Sequence, residues 1–254
     1  MGLRVENLSF SYDQTLILND ISFNAAQGEL VGIIGPNGSG KTTLIKNILN
    51  ILKPNTGNVI VDHQSISELS LTQRAKIISY VPQFSIPNYS HSVYYTVLMG
   101  RKPFIRWNYS EDDHNVAIKS LKQLNLISQK DRLLSTLSGG EKQKTLLARA
   151  ITQECKYMLL DEPTNNLDLR HQKEVMSILK NLAHYQQACI LIVIHDLNLA
   201  SLYCDKLVLL NNGEKVIEGP PQQVITKGNL QDYYGVNMKI VLHNGCPQLL
   251  FENE

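Results

Sequence analysis

Short apolar runs alternate with stretches of helical spacing along most of the chain. Val31 to Ile34, Tyr157 to Leu160 and Ile190 to Ile194 are continuous apolar runs, the pattern of strands covered on both faces. Ile77 to Val81 is a further strand candidate, and so is Val59 to Val61, which follows a break at Pro54 and Gly57. Lys41 to Leu52 reads as a helix. Val175, Ile178, Leu179 and Leu182 recur at i, i+3, i+4 and i+7, one apolar helix face between two of the strands. The alternation predicts an α/β fold whose sheet is largely parallel at its centre.

The stretch from about Phe84 to Ala150 breaks this rhythm. It lacks strong strand runs, and Ser110 followed by Asp113 reads as a capping box, with Ala117, Leu121 and Leu124 on one face behind it. A helical insertion in the α/β core is expected there. Beyond about Val236 a short tail carries one strand-like piece, Lys239 to Leu242, and is too small for an independent domain.

Composition narrows the classes. The chain has 254 residues, 43% hydrophobic and 19% charged, which suits a globular protein with a sizeable core. A net charge of +1 gives no strong pull toward nucleic acid or anionic lipid. The four cysteines, Cys155, Cys189, Cys204 and Cys246, show no metal-ligand spacing and read as reduced, mostly buried thiols. No stretch approaches 18 apolar residues and the N-terminus lacks a signal-peptide core, so a membrane role would run through a partner.

Candidate chemistry begins after the first buried strand. Gly35, Pro36, Asn37, Gly38, Ser39, Gly40, Lys41 and Thr42 fit G-x-x-x-x-G-K-[ST], between a strand and a helix. The glycines let backbone N–H groups approach phosphate oxygens, and the following helix adds its positive end. Lys41 can reach the β- and γ-phosphates and Thr42 can hold Mg²⁺. Asp161 and Glu162 end another buried strand, where ligands of open α/β sheets sit. Asp161 is placed to meet Mg²⁺ and Glu162 to polarise the attacking water. Leu137, Ser138, Gly139, Gly140 and Glu141 precede a helical run, Lys142 to Ile151. Alone they would read as an ordinary Ser-Gly-Gly turn with a helix cap, but beside a phosphate loop they are expected to form a second anion site. One ATP has no obvious need of two such sites in one chain. The second is therefore expected to serve the ATP of another copy.

With these residues in order, the chain resembles the ATPase subunits of ABC (ATP-binding cassette) transporters over about its first 235 residues. Gly35 to Thr43 resembles the Walker A motif, Leu137 to Glu141 the family signature and Tyr157 to Glu162 the Walker B motif. Gln83 in Tyr80-Val-Pro-Gln83 stands where the Q-loop glutamine is expected, Asp168 in Asn165-Asn-Leu-Asp168 resembles the D-loop, and His195 the switch histidine. Tyr12 resembles the aromatic residue that stacks on adenine. Lys144 stands where relatives usually carry arginine, which keeps the charge but not the planar fork. The other six histidines show no ligand spacing.

The resemblance implies one ABC ATPase domain over 1–254. Its P-loop NTPase (RecA-like) core would take about 1–85 and 153–235, with an N-terminal antiparallel β region, a helical subdomain of about 86–152 and a tail of 236–254. It implies ATP hydrolysis with Mg²⁺ at Thr42, Gln83 and Asp161, and catalytic roles for Glu162, His195 and Gln83. It further implies a head-to-tail homodimer on the cytoplasmic face of a membrane, bound to two polytopic permease subunits through roughly Phe84 to Arg106. An extracytoplasmic binding protein would act indirectly, and no nucleic acid is expected as a partner. Val97 to Arg101, Asp161 to Asp168, His195 to Ala200 and Glu218 to Pro221 resemble ATPases that import iron-siderophores, haem or cobalamin. Zinc, manganese and molybdate importers are the alternative, and a non-transport ABC ATPase acting on nucleic acid is a more distant one.

Overall fold

A computed structural model of the chain describes residues 2–83, 90–165 and 167–250. Strand β1 (Gly2–Tyr12) turns back at Asp13 into β2 (Thr15–Ala26), and the two pair antiparallel. Strand β3 (Leu30–Ile34) is buried at every position, as its unbroken apolar run requires. After the phosphate loop, helix α1 (Lys41–Ile48) is shorter than the expected Lys41 to Leu52. Asn50 adopts the left-handed conformation (φ 53°), and the N–H groups of Ile51 and Leu52 fold back onto the Lys46 carbonyl, which closes the helix. Strands β4 (Thr56–Val61) and β5 (Gln64–Ser65) complete a four-stranded antiparallel sheet in the order β2-β1-β4-β5.

Helix α2 (Leu71–Ile77) opens on a Ser70–Gln73 capping box and runs into β6 (Ile78–Val81). The next described segment is helical, with α3 (Val93–Leu98), α4 (Glu111–Gln123) and α5 (Gly139–Thr152). The Ser110–Asp113 capping box is formed, and Ala117, Leu121 and Leu124 are fully buried behind it. Then come β7 (Tyr157–Asp161), α6 (Leu169–Gln186), β8 (Cys189–Val193), α7 (Leu197–Tyr203), β9 (Lys206–Asn211) and β10 (Glu214–Gly219). A short helix α8 (Pro221–Val224) and the hairpin β11 (Lys239–His243) and β12 (Cys246–Leu250) follow.

The central sheet has the order β10-β9-β3-β8-β7-β6, parallel except for β10 at its edge. Side chains alternate between two cores. In β8, Cys189, Leu191 and Val193 pack toward the antiparallel sheet and α1, while Ile190 and Ile192 pack toward the helices on the other side. Of the four cysteines, Cys155, Cys189 and Cys204 are buried and Cys246 is partly exposed. Burial pushes the Cys155 and Cys189 thiols up to about 12, so they stay protonated at neutral pH. Among the described residues, no helix is long and apolar enough to cross a membrane.

Candidate nucleotide site

Four neighbouring parallel strands deliver the candidate residues. The phosphate loop leaves the C-terminal end of β3, His195 follows β8, Asp161 and Glu162 end β7, and Gln83 follows β6. Parallel strands put all four ends on one edge of the sheet, where ligands of such sheets bind. There they line a cleft of about 390 Å³ that includes Tyr12, Lys41, Thr42, Gln83, Glu162 and His195. Tyr12 projects from the neighbouring antiparallel sheet, half exposed and edge-on to Phe10.

The loop is held tightly. Gly35 has φ +146°, and a Cβ there would lie 2.1 Å from the Leu210 carbonyl oxygen of β9. Lys41 Nζ donates to the carbonyls of Gly35 at 2.9 Å and Pro36 at 2.8 Å. Burial pushes its ammonium below the usual lysine value, while the Glu162 and Asp161 carboxylates draw it back. Gly38, Gly40, Thr43 and Asn37 border the cleft, and Ser39 is buried in the turn.

Thr42 Oγ1 donates to Asp161 Oδ1 at 3.1 Å. Asp161 Oδ2 is buried with no hydrogen-bond partner among the described residues. Burial raises the Asp161 carboxyl above its ordinary value against the Thr42 hydrogen bond, and the adjacent Glu162 carboxylate raises it further. A buried, uncompensated carboxylate oxygen beside a hydroxyl is the donor set a hard divalent cation such as Mg²⁺ takes, so these residues fit that ion. Glu162 is nearly buried; Gln83 Nε2 donates to its Oε2 at 2.5 Å, and its Oε1 lies 2.6 Å from His195 Nε2. Asn165, expected only as part of the D-loop segment, also donates from its Nδ2 to Glu162 Oε2.

Leu137 to Glu141 lie elsewhere. Ser138 caps α5, its Oγ accepting from Glu141 N, while Glu141 Oε2 accepts from Ser138 N at 2.9 Å. Leu137 is buried beneath them. Asp168 caps α6, accepting from His171 N at 2.8 Å. Both helix N-termini open on a second cleft of about 1150 Å³, bordered by Ser138, Gly139, Gly140, Glu141 and Asp168. The two sets of lining residues do not overlap. Lys144 lies buried beside this cleft and pairs with Glu174 at 3.3 Å.

Comparison with known proteins places the chain. The family described as ABC transporter matches residues 18–165. An uncharacterised ABC transporter ATP-binding protein of Methanocaldococcus jannaschii is 44% identical, over 97% of this chain and 96% of its own length. A hemin import ATP-binding protein of Gloeobacter violaceus is 35% identical, covering 92% and 88% of the two chains. A petrobactin import ATP-binding protein of Bacillus subtilis is 35% identical over 94% of each. Among solved structures, an inward-facing metal-chelate type ABC transporter superposes with a TM-score of 0.85 at 32% identity, covering 98% of this chain and 96% of that one. A dimeric bacterial ABC transporter cassette superposes with a TM-score of 0.79 at 26% identity, covering 86% and 98%. The chain belongs to the ABC transporter ATPase family, has the ABC cassette fold, and is an ATP hydrolase.

Proposed function

We propose that this ABC ATPase works as a head-to-tail pair, each ATP bound between the phosphate-loop cleft of one copy and the Ser138–Asp168 cleft of the other. The observation that carries the reading is the separation of the two anion-binding clefts on one chain. Tyr12 stacks on adenine, the loop amides and Lys41 hold the phosphates, and Ser138 with the α5 N-terminus closes over them. Thr42, Asp161 and Gln83 would hold Mg²⁺, which would supply charge neutralisation to the bound phosphates. Glu162 polarises the attacking water, and His195 contacts the γ-phosphate. Phosphoryl transfer demands positioning and charge neutralisation above all.

The energy of closure drives uptake of a metal chelate, whether a ferric siderophore, haem or cobalamin, through two permease subunits on the cytoplasmic face of a membrane. The hemin and petrobactin import relatives and the metal-chelate neighbour support this class. The permease docks beside the helical subdomain, about 86–152, in a groove of about 680 Å³ bordered by Leu71, Ala75, Tyr80, Met99, Pro103 and Ile105. Of the expected contact region, residues 84–89 lie outside the described residues.

The test is Glu162→Gln. It keeps size and ATP binding, and its turnover falls about 10²- to 10⁴-fold, the usual worth of a general base. Full ATPase activity in that variant would sink the assignment. Vesicles carrying the assembled transporter then take up a ferric siderophore, haem or cobalamin in an ATP-dependent manner. Uptake of free zinc, manganese or molybdate in their place overturns the substrate class.

A further inference from the structure

We propose that Asn165 is a positioning residue that fixes which oxygen of Glu162 faces the phosphate cleft. The inference rests on the reading of Glu162 as the group that polarises the attacking water. A carboxylate only accepts hydrogen bonds, so each amide that meets it does so through nitrogen. Among the described residues, three donors engage Glu162: Gln83 Nε2 and Asn165 Nδ2 on Oε2, and His195 Nε2 on Oε1. Oε2 thus accepts two of these donors and Oε1 one, so the acceptor site left for a water from the cleft is on Oε1.

The three donors are tied down differently. Gln83 and His195 stand at the ends of two other strands, β6 and β8. Each has a second task in the function proposed above, Gln83 at Mg²⁺ and His195 at the γ-phosphate, and each must turn from Glu162 to do it. Asn165 sits three residues after Glu162 in the same turn, half-buried, with its backbone N–H on the Glu162 carbonyl at 3.2 Å. It therefore travels with the glutamate.

The Glu162 backbone has little freedom of its own. Its φ is +54°, a left-handed value unusual for a side chain of this size, and its N–H is fixed to the Val193 carbonyl at 3.2 Å. What remains is rotation of the side chain, and Asn165 is the partner in the same turn that restrains it. When Gln83 and His195 swing to the nucleotide, Oε1 is released toward the cleft while Oε2 stays held.

The experiment compares Asn165→Ala and Asn165→Asp with the parent in steady-state ATPase assays of the intact protein, with nucleotide binding and Tm measured alongside. The expected result is a fall in kcat of about tenfold to a hundredfold, the cost of loosening a group that orients a reacting one. KM for ATP and Tm stay close to the parent. Asn165→Asp, nearly isosteric but placing a like charge against Oε2, falls at least as far as Asn165→Ala. Parental kcat in both variants overturns the proposal. So does a fall in kcat matched by a rise in KM or lost nucleotide binding, because a collapsed loop gives that result. Glu162→Gln separates the two readings. If it turns over normally, the assignment of Glu162 fails. If it is inactive while both Asn165 variants are normal, the role of Asn165 alone fails.

Discussion

Replacing Gly35 by alanine tests how tightly the phosphate loop is pinned to the sheet. The new Cβ would lie 2.1 Å from the Leu210 carbonyl oxygen and 2.8 Å from Ser39 Oγ. Ser39 can rotate, but Leu210 belongs to β9, whose Leu209 is in register with Ile34 of β3. The strand cannot recede without breaking that ladder, so the loop must lift by about 1 Å to restore ordinary contact. Two costs follow. A φ of +146° is foreign to alanine, and backbone strain with overpacking together destabilise by about 3 kcal/mol. In a chain of this size that is a fall of roughly 6–12 °C in Tm. A displacement of about 1 Å at the phosphate amides costs catalysis on the order of a hundredfold. Gly235→Ala is the control, since its φ is also positive (+66°) but its Cβ meets nothing within 4 Å. It should lose only about 1 kcal/mol and bind ATP normally. Calorimetric titration with ATP, scanning calorimetry and ATPase rates measure all three quantities. Parental ATP affinity in Gly35→Ala, with a Tm loss no larger than that of Gly235→Ala, refutes the reasoning.

Further expectations follow from the same contacts. Lys41→Ala removes an ammonium held at the cleft by the Gly35 and Pro36 carbonyls; affinity for ATP should drop at least about tenfold in equilibrium binding, given about 1.5–3 kcal/mol for a charged hydrogen bond. Ser138→Ala removes the α5 cap, costing about 1 kcal/mol of stability, and leaves ATP binding to the single chain intact; ATP-dependent dimerisation in the Glu162→Gln background, followed by sedimentation, should be lost. Burial works against the charge of Asp113, but hydrogen bonds from Arg101 and Ser110 outweigh it and hold its carboxyl below the usual range. A depressed folded value stabilises the protein above the ordinary carboxylate pKa, and that increment disappears as the pH falls through the folded value. Asp113→Asn should therefore lower Tm at pH 7 and flatten its fall between about pH 5 and 3, whereas parallel Tm curves for parent and variant contradict the pairing.

The central sheet was legible because buried parallel strands leave unbroken apolar runs; β3, β7 and β8 fall within one residue of their expected limits at each end. The first two strands left no such trace. In β1, Leu3 and Val5 are buried at odd positions, then Leu8 and Phe10 at even ones, because the register slips between Val5 and Leu8. A bulge of that kind changes the phase of the alternation, and Asn7 takes the positive φ (47°) that accompanies it. Only the family resemblance implied an antiparallel region there. At the site, motif spacing pointed to the phosphate loop and to Asp161 and Glu162, since local sequence carries a turn between a strand and a helix, whereas Gln83 and His195 came from the family resemblance alone. Asn165 lay within the D-loop segment, but its contact with Glu162 stayed hidden because it is a side-chain rotamer, which spacing does not encode.

In the function proposed above, the Ser138 segment has two tasks that look incompatible until its hydrogen bonds are counted. A serine hydroxyl has one donor and two acceptor sites. Capping α5 uses it as an acceptor from Glu141 N, so the O–H remains available for a phosphate oxygen. Glu141 raises the opposite concern, since a carboxylate beside an anion site repels its ligand. Its charge is answered within the chain, however. Oε2 accepts the Ser138 amide, and Oε1 accepts from Gln129 Nε2 at 3.2 Å with Arg132 at 3.6 Å. The Ser138 amide bond draws its carboxyl below the usual range against burial, and Arg132 and Lys144 add to that effect. The capping box thus takes up the negative charge and leaves the helix N-terminus on the cleft, with one hydroxyl proton free to be donated. A single chain holds this segment preformed, so closure of the proposed head-to-tail pair would need two finished surfaces to meet rather than a new turn to fold.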